Sequence, residues 1–109
     1  MFKKAYRLDS FALINPKQIS AKYFSLKYSR NSDNISRFAF VVSKKTDARA
    51  SARNEMKRNV RTATQELFEK INQGYDFVFY PKKQSLNVSS KVTLEELKQV
   101  LKKENLLNV

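Results

Sequence analysis

Residues 43–61 read SKKTDARASARNEMKRNVR. Seven of the chain's 22 basic residues fall here (Lys44, Lys45, Arg49, Arg53, Lys57, Arg58 and Arg61), against two acids, Asp47 and Glu55. An apolar run, Phe38 to Val42, precedes the stretch and reads as the end of a strand. From about Ser51 to Gln73 the apolar residues recur at helical spacing. At roughly 100° per residue, Met56, Val60, Ala63, Leu67 and Ile71 gather in one sector. Asn54, Lys57, Arg58 and Arg61 fill the adjoining sector, with Arg53 on the border. A single helix therefore offers an apolar edge to a sheet and a cationic edge to solvent, with long Lys and Arg stems able to lie along apolar neighbours.

The flanking elements follow from this strand and helix. From Ile19 to Tyr28 the chain alternates, with Phe24, Leu26 and Tyr28 on one side and Tyr23, Ser25 and Lys27 on the other, which predicts one strand. Ser29 to Asn34 is a polar turn cluster, so strand–turn–strand is expected, with the second strand over Ile35 to Ser43. Gly74 sits where the long helix should stop, Tyr75 to Tyr80 predicts a third strand closed by Pro81, and Lys82 to Ser90 reads as loop. Thr93 and Glu96 have the spacing of a capping box, opening a last helix with the stripe Leu94, Leu97, Val100 and Leu101. Near the start, Met1 to Leu8 reads as extended or poorly ordered, and Asp9 or Ser10 caps a short helix through Phe11, Ala12, Leu13 and Ile14 that ends before Pro16. The expected fold class is α+β: one domain, residues 1–109, an α/β sandwich with a small sheet packed by a long central basic helix, and short helices at each end.

A chain of 109 residues with 41% hydrophobic and 12% aromatic content, one Gly and two Pro can bury one core and is not a disordered chain. A formal net charge of +12 points to a polyanionic partner, nucleic acid before membrane. The absence of cysteine and histidine excludes disulfides, Cys/His zinc sites and histidine general-base chemistry. No run approaches the roughly 20 apolar residues of a membrane span, and no apolar segment follows the lysines of the N-terminus as in a secretory signal. A cytoplasmic protein with no membrane partner is the expectation.

Phosphates require cations held at fixed spacing, which neighbouring helix positions supply. Arginine adds planar forks that grip phosphate or stack on a base. Lys44 and Lys45 widen the patch from the strand end, Asn54 contributes neutral donors, and the helix N-terminus favours an anion. The acids, by contrast, do not form a nuclease site: Asp9, Asp33, Asp47 and Asp76 are scattered, and Glu95 and Glu96 lie at a helix start where they suit the dipole.

At these residues the chain resembles the bacterial ribonuclease P protein subunits. That family carries a strand ending in Ser-Lys-Lys, a short loop, and Arg-Asn-x-x-Lys-Arg-x-x-Arg opening a long helix. Ser43-Lys44-Lys45 and Arg53-Asn54-Glu55-Met56-Lys57-Arg58-Asn59-Val60-Arg61 match every signature position. The likeness extends to Phe11 ahead of a β-hairpin, the strand holding Asp76, and a terminal helix. The loop Thr46 to Ala52 departs from the pattern, lacking the family's Gly and running one residue longer, and Thr62 stands where a Glu is common.

The resemblance implies a protein that binds the catalytic RNA of ribonuclease P and helps recognise precursor tRNA, while the RNA removes the 5′ leader by metal-assisted hydrolysis. On that basis Lys44, Lys45, Arg49, Arg53, Asn54, Lys57, Arg58 and Arg61 are RNA-binding candidates. Phe11, Lys22, Phe24 and Lys27 are candidates for the single-stranded leader, aromatics stacking on bases between cations. Mg2+ is expected to be held mainly by the RNA, with none bound by the protein alone, no catalytic residue in the chain, and no obligate protein partner. A ribosomal or rRNA-binding module and a DNA-binding protein remain the alternatives, since a basic helix face does not name its nucleic acid.

Overall fold

The computed structural model describes residues 4–8 and 13–108. Four strands, β1 (Lys17–Ser20), β2 (Phe24–Arg30), β3 (Arg37–Phe40) and β4 (Tyr75–Pro81), form one sheet in the order β1-β2-β4-β3. β4 runs antiparallel to β2 and parallel to β3. A parallel neighbour needs a crossover, and α1 (Ala50–Glu66) provides it between β3 and β4. α2 (Ser90–Lys103) packs beside α1, giving a two-layer α+β sandwich.

Strand alternation explains the core. Phe24, Leu26 and Tyr28 of β2, Phe38 of β3, and Phe77 and Phe79 of β4 turn to the helices, where they meet Val60, Ala63, Leu67, Ile71, Leu97 and Leu101. The apolar sector expected on α1 is buried as read: Met56, Val60 and Ala63 are inaccessible to solvent. The helix ends earlier than Gln73, at Glu66, and tightens into a 3-10 turn, Phe68–Lys70. Leu67 and Ile71 stay in the core because that turn holds them there, and Ile71 then bridges Leu107. Gly74 adopts φ +92° where the chain swings into β4.

Several expectations are corrected. The strand expected over Ile19 to Tyr28 is two strands, β1 and β2, paired as a hairpin around Ala21, Lys22 and Tyr23. None of these three residues signals a turn. Distant groups hold it instead: the Glu96 carboxylate accepts from the Lys22 and Tyr23 amides (3.0 and 2.8 Å), and Lys82 Nζ donates to Ser20 Oγ and the Ala21 carbonyl (2.7 and 2.6 Å). Glu96 therefore does not cap its own helix, and Thr93 lies inside α2, which begins at Ser90 after Ser89. Thr93 is buried and donates to Asn59 Oδ1 at 2.6 Å. Both residues of the supposed capping box thus serve contacts between elements.

The polar cluster Ser29 to Asn34 does not join paired strands, because β4 lies between β2 and β3. Asn31 guides the passage, donating from its amide side chain to the Ile35 carbonyl and Asp76 Oδ1 and from its backbone to the Gly74 carbonyl. β3 is also shorter than Ile35 to Ser43: Ser36 is held by Asn72, Gln73 and Tyr75 before the strand begins. Lys82 to Ser90 contains a 3-10 turn, Lys83–Asn87. At the N-terminus Lys4–Tyr6 forms a 3-10 turn, and Arg7 and Leu8 then lie parallel to β3, with a Leu8 amide bond to the Phe38 carbonyl. Asp9 to Ala12 lie outside the described residues, and Leu13 and Ile14, expected at the end of the first helix, are not helical.

A cross-layer joint closes the far end of the sheet. Glu104, just beyond α2, accepts from the Tyr28 hydroxyl at 2.6 Å and pairs with Lys17 Nζ at 2.7 Å. Lys17 first and Tyr28 second hold its carboxyl below the ordinary value near 4.5. Burial, followed by the bond to Glu104, pushes the Tyr28 phenol well above its usual value.

Two outcomes are expected in urea unfolding. Gly74→Ala loses about 1–2 kcal/mol through its left-handed backbone, since a Cβ there meets nothing closer than the Asp33 carbonyl oxygen at 3.6 Å. Glu104 has a depressed folded pKa, so its contribution is complete above the unfolded value and disappears as pH falls through the folded one. Glu104→Gln is expected to lower stability at neutral pH and to flatten the loss of stability as pH falls below the ordinary carboxylate value.

Candidate nucleic-acid interface

α1 starts at Ala50, with Arg49 at the N-cap making no side-chain capping bond and no acid in the first turn. Arg53, Lys57 and Arg61 then recur every four residues on the flank of the helix beside the core stripe. Arg61 lies over the Phe40 ring, 5.3 Å from Cζ to centroid, which fixes a cation against the edge strand β3. Burial, and then the neighbouring charges of Arg7 and Arg58, lower the Arg61 pKa from its ordinary value. An arginine so placed still remains protonated. The crowding of like charges is the electrostatic signature of this face.

Asn54 and Arg58 lie further round, both exposed. Arg58 borders a shallow groove of about 200 Å³ between α1 and the Lys83–Asn87 turn. Asn59, in the same groove, donates to the Ser85 and Val88 carbonyls (3.2 and 2.9 Å) and so ties that turn to α1. Lys44 and Lys45 are exposed at the tip of a turn closed by the Thr46 amide on the Ser43 carbonyl, 3.1 Å. Among the described residues, Lys44, Lys45, Lys57, Arg58 and Arg61 form no ion pairs.

Arg49 and Arg53 differ from the rest. Arg49 grips Asp47 with two side-chain bonds, Nε to Oδ1 at 3.0 Å and Nη2 to Oδ2 at 2.9 Å, and its amide donates to Oδ1 at 2.9 Å. Lys83 Nζ stands 3.8 Å from Oδ2. These groups, Arg49 foremost, hold the Asp47 carboxyl well below the usual carboxylate range. Its side chain is 4% exposed, screened by these neighbours rather than sunk in the core. Arg53 turns its Nη1 back onto the Asp47 and Ala48 carbonyls (3.0 and 2.8 Å).

The residues expected to bind leader do not form one surface. Phe24 is wholly buried and packs edge-on against Phe79, 5.6 Å between centroids, so its ring has no face for a base. The same alternation that buries it sends Lys27 to the opposite face of the sheet, over the Tyr80 ring at 5.5 Å. Lys22 is exposed on the hairpin turn, over Tyr23 at 5.5 Å. Phe11 lies outside the described residues. Sequence reasoning missed two participants. Tyr80 was readable only with the register of β2 on β4, and Arg7 only with the pairing of the N-terminal segment on β3.

The sequence profile of the family described as "Ribonuclease P" matches residues 2–105. The chain belongs to the ribonuclease P protein family. Over 90 residues it is 32% identical to the ribonuclease P protein component of Carboxydothermus hydrogenoformans, covering 81% of this chain and 77% of that one. Its identity to the corresponding component of Alkaliphilus oremlandii is 29% over 107 residues, 98% of this chain and 87% of the other. The solved ribonuclease P protein of Thermotoga maritima superposes with a TM-score of 0.71 at 29% identity, over 82% of this chain and 84% of that structure. The Staphylococcus aureus protein shares the fold at 22% identity, with a TM-score of 0.75 over 96% and 100% of the two chains. The family's place is in tRNA processing, as components of the endoribonuclease ribonuclease P.

The division between core and surface has a direct test. Phe24→Ala is expected to cost about 3–5 kcal/mol in denaturant unfolding. Lys27→Ala, on the other face, should stay within about 0.5 kcal/mol of the parent.

Proposed function

We propose that this chain is the RNA-binding subunit of ribonuclease P, assisting the catalytic RNA in removing the 5′ leader of precursor tRNA. The observation that carries this reading is the row of cations on α1, Lys57, Arg58 and Arg61, that form no ion pair among the described residues, with Arg61 braced on Phe40 and flanked by Arg7 and Arg58. Lys57, Arg58 and Arg61, with Asn54 and the Lys44-Lys45 turn, meet phosphates of the RNA subunit. A ribonuclease P relative at 32% identity favours this RNA over ribosomal RNA. A duplex DNA reading has less behind it, because Arg53, Lys57 and Arg61 line the flank facing the β3 edge rather than the crown of a free helix.

The precursor's single-stranded leader crosses the face of the sheet opposite the helices, where Lys27 and Tyr80 pair a cation with an aromatic ring. The RNA carries the chemistry and the Mg2+. In this reading the protein's part is to bind and position RNA.

The decisive measurement is reconstitution with ribonuclease P RNA, following 5′ leader removal from a precursor tRNA at low magnesium. The full chain is expected to bind that RNA and to accelerate cleavage. Lys57→Ala and Arg61→Ala are each expected to weaken binding and to reduce the slope of log K against log salt by roughly 0.7–0.9, one phosphate contact apiece. Equal affinity for ribosomal RNA or duplex DNA, with no stimulation of cleavage, would sink the proposal.

A further inference from the structure

Arg53 occupies the first position of the basic motif, yet its Nη1 is directed at protein, onto the Asp47 and Ala48 carbonyls. The segment it holds is the connection from β3 to α1. Asp47 is the hub of this connection. Its carboxylate is saturated by the Arg49 amide, the Arg49 guanidinium and nearby Lys83, and its backbone carbonyl receives Arg53. Immediately upstream lies the Ser43–Thr46 turn, whose tip is Lys44 and Lys45. The Asp47 amide also bonds the Ser43 carbonyl, at 3.5 Å, so hub and turn share an anchor.

An acid in a cationic patch is electrostatically unfavourable for binding a polyanion. A buried, fully partnered acid there acts on the protein instead. Lysine is a flexible point charge, and fixing the backbone beneath two lysines reduces the conformational entropy lost when they meet phosphates.

We propose that Arg53 and Asp47 form a clamp that presets the Lys44-Lys45 turn for RNA, making Arg53 a positioning residue rather than a phosphate contact. This rests on the reading of α1 and its loop as the RNA face. Arg49, held on Asp47, belongs to the clamp as well.

The two roles make opposite predictions for the full chain binding ribonuclease P RNA. Lysine retains the charge of Arg53 but is one bond shorter, so its ammonium falls short of the point from which Nη1 reaches both carbonyls. The clamp predicts that Arg53→Lys weakens binding about tenfold, the scale of one lost charge-assisted bond. A phosphate contact predicts near-parental affinity, because the charge survives. Asp47→Ala removes a negative charge from the patch, so electrostatics alone predicts tighter binding, whereas the clamp predicts weaker binding.

A double-mutant cycle ties the effect to the turn. In a Lys44→Ala, Lys45→Ala background, Arg53→Lys and Asp47→Ala should each have little further effect on affinity. Losses that persist unchanged in that background, or tighter binding by Asp47→Ala, overturn the clamp while leaving the RNA face standing. A parent chain that does not bind the RNA overturns the RNA reading and the clamp with it. Either variant suffices for the cycle if the other fails to fold, as judged by its circular dichroism and melting temperature.

Discussion

The parallel register of β3 on β4 is the constraint on which the rest of the architecture depends. It sets Phe38 opposite Phe77 and Phe40 opposite Phe79, and the rings stack nearly flat, 5.2 and 5.3 Å between centroids. Parallel neighbours cannot be joined by a tight turn, so the intervening chain must travel the length of the sheet and return. That journey is α1. Its buried stripe covers the phenylalanines, and its basic flank is thereby brought against the outer side of β3, where Phe40 supports Arg61. The cationic face is a by-product of the crossover: rotate the helix and either the core or the charge is misplaced.

What could be read from the chain beforehand follows the range of the interactions involved. The α1 stripe, the inward side of β2 and the strand Tyr75 to Tyr80 repeat locally, and periodicity reveals them. The hairpin at Ala21 to Tyr23 is built by Glu96 and Lys82, more than 60 positions away, and leaves no local trace. Thr93 and Glu96 misled because spacing alone does not say whether a hydroxyl and a carboxylate bond their own helix or a neighbouring element. The basic flank was legible as charge. Which of its cations face outward was not, because Arg53 and Asp47 meet only once the loop has folded.

Acids and bases have divided their work in a chain of net charge +12. Asp33 pairs with Arg37, Asp47 with Arg49, Asp76 accepts from Asn31, Glu96 closes the hairpin and Glu104 joins sheet to helix. Each sits at a joint between segments. Carboxylates accept several donors at once, including backbone amides, which makes them suited to such junctions. Among the described residues, Lys57, Arg58 and Arg61 of α1 are left without an ion-pair partner, a state that costs self-repulsion and is relieved by a polyanion.

The N-terminal segment lying along β3 has a consequence of another kind. β3 is one border of the sheet, and an uncovered border invites a second strand from another molecule. Arg7 and Leu8 occupy part of it, and a cation at the same place repels any identical border that approaches. The opposite border, β1, begins with Lys17. A cation thus sits at each rim of the sheet, Arg7 beside β3 and the Glu104-paired Lys17 on β1, and like charge at a border disfavours edge-to-edge pairing of two copies.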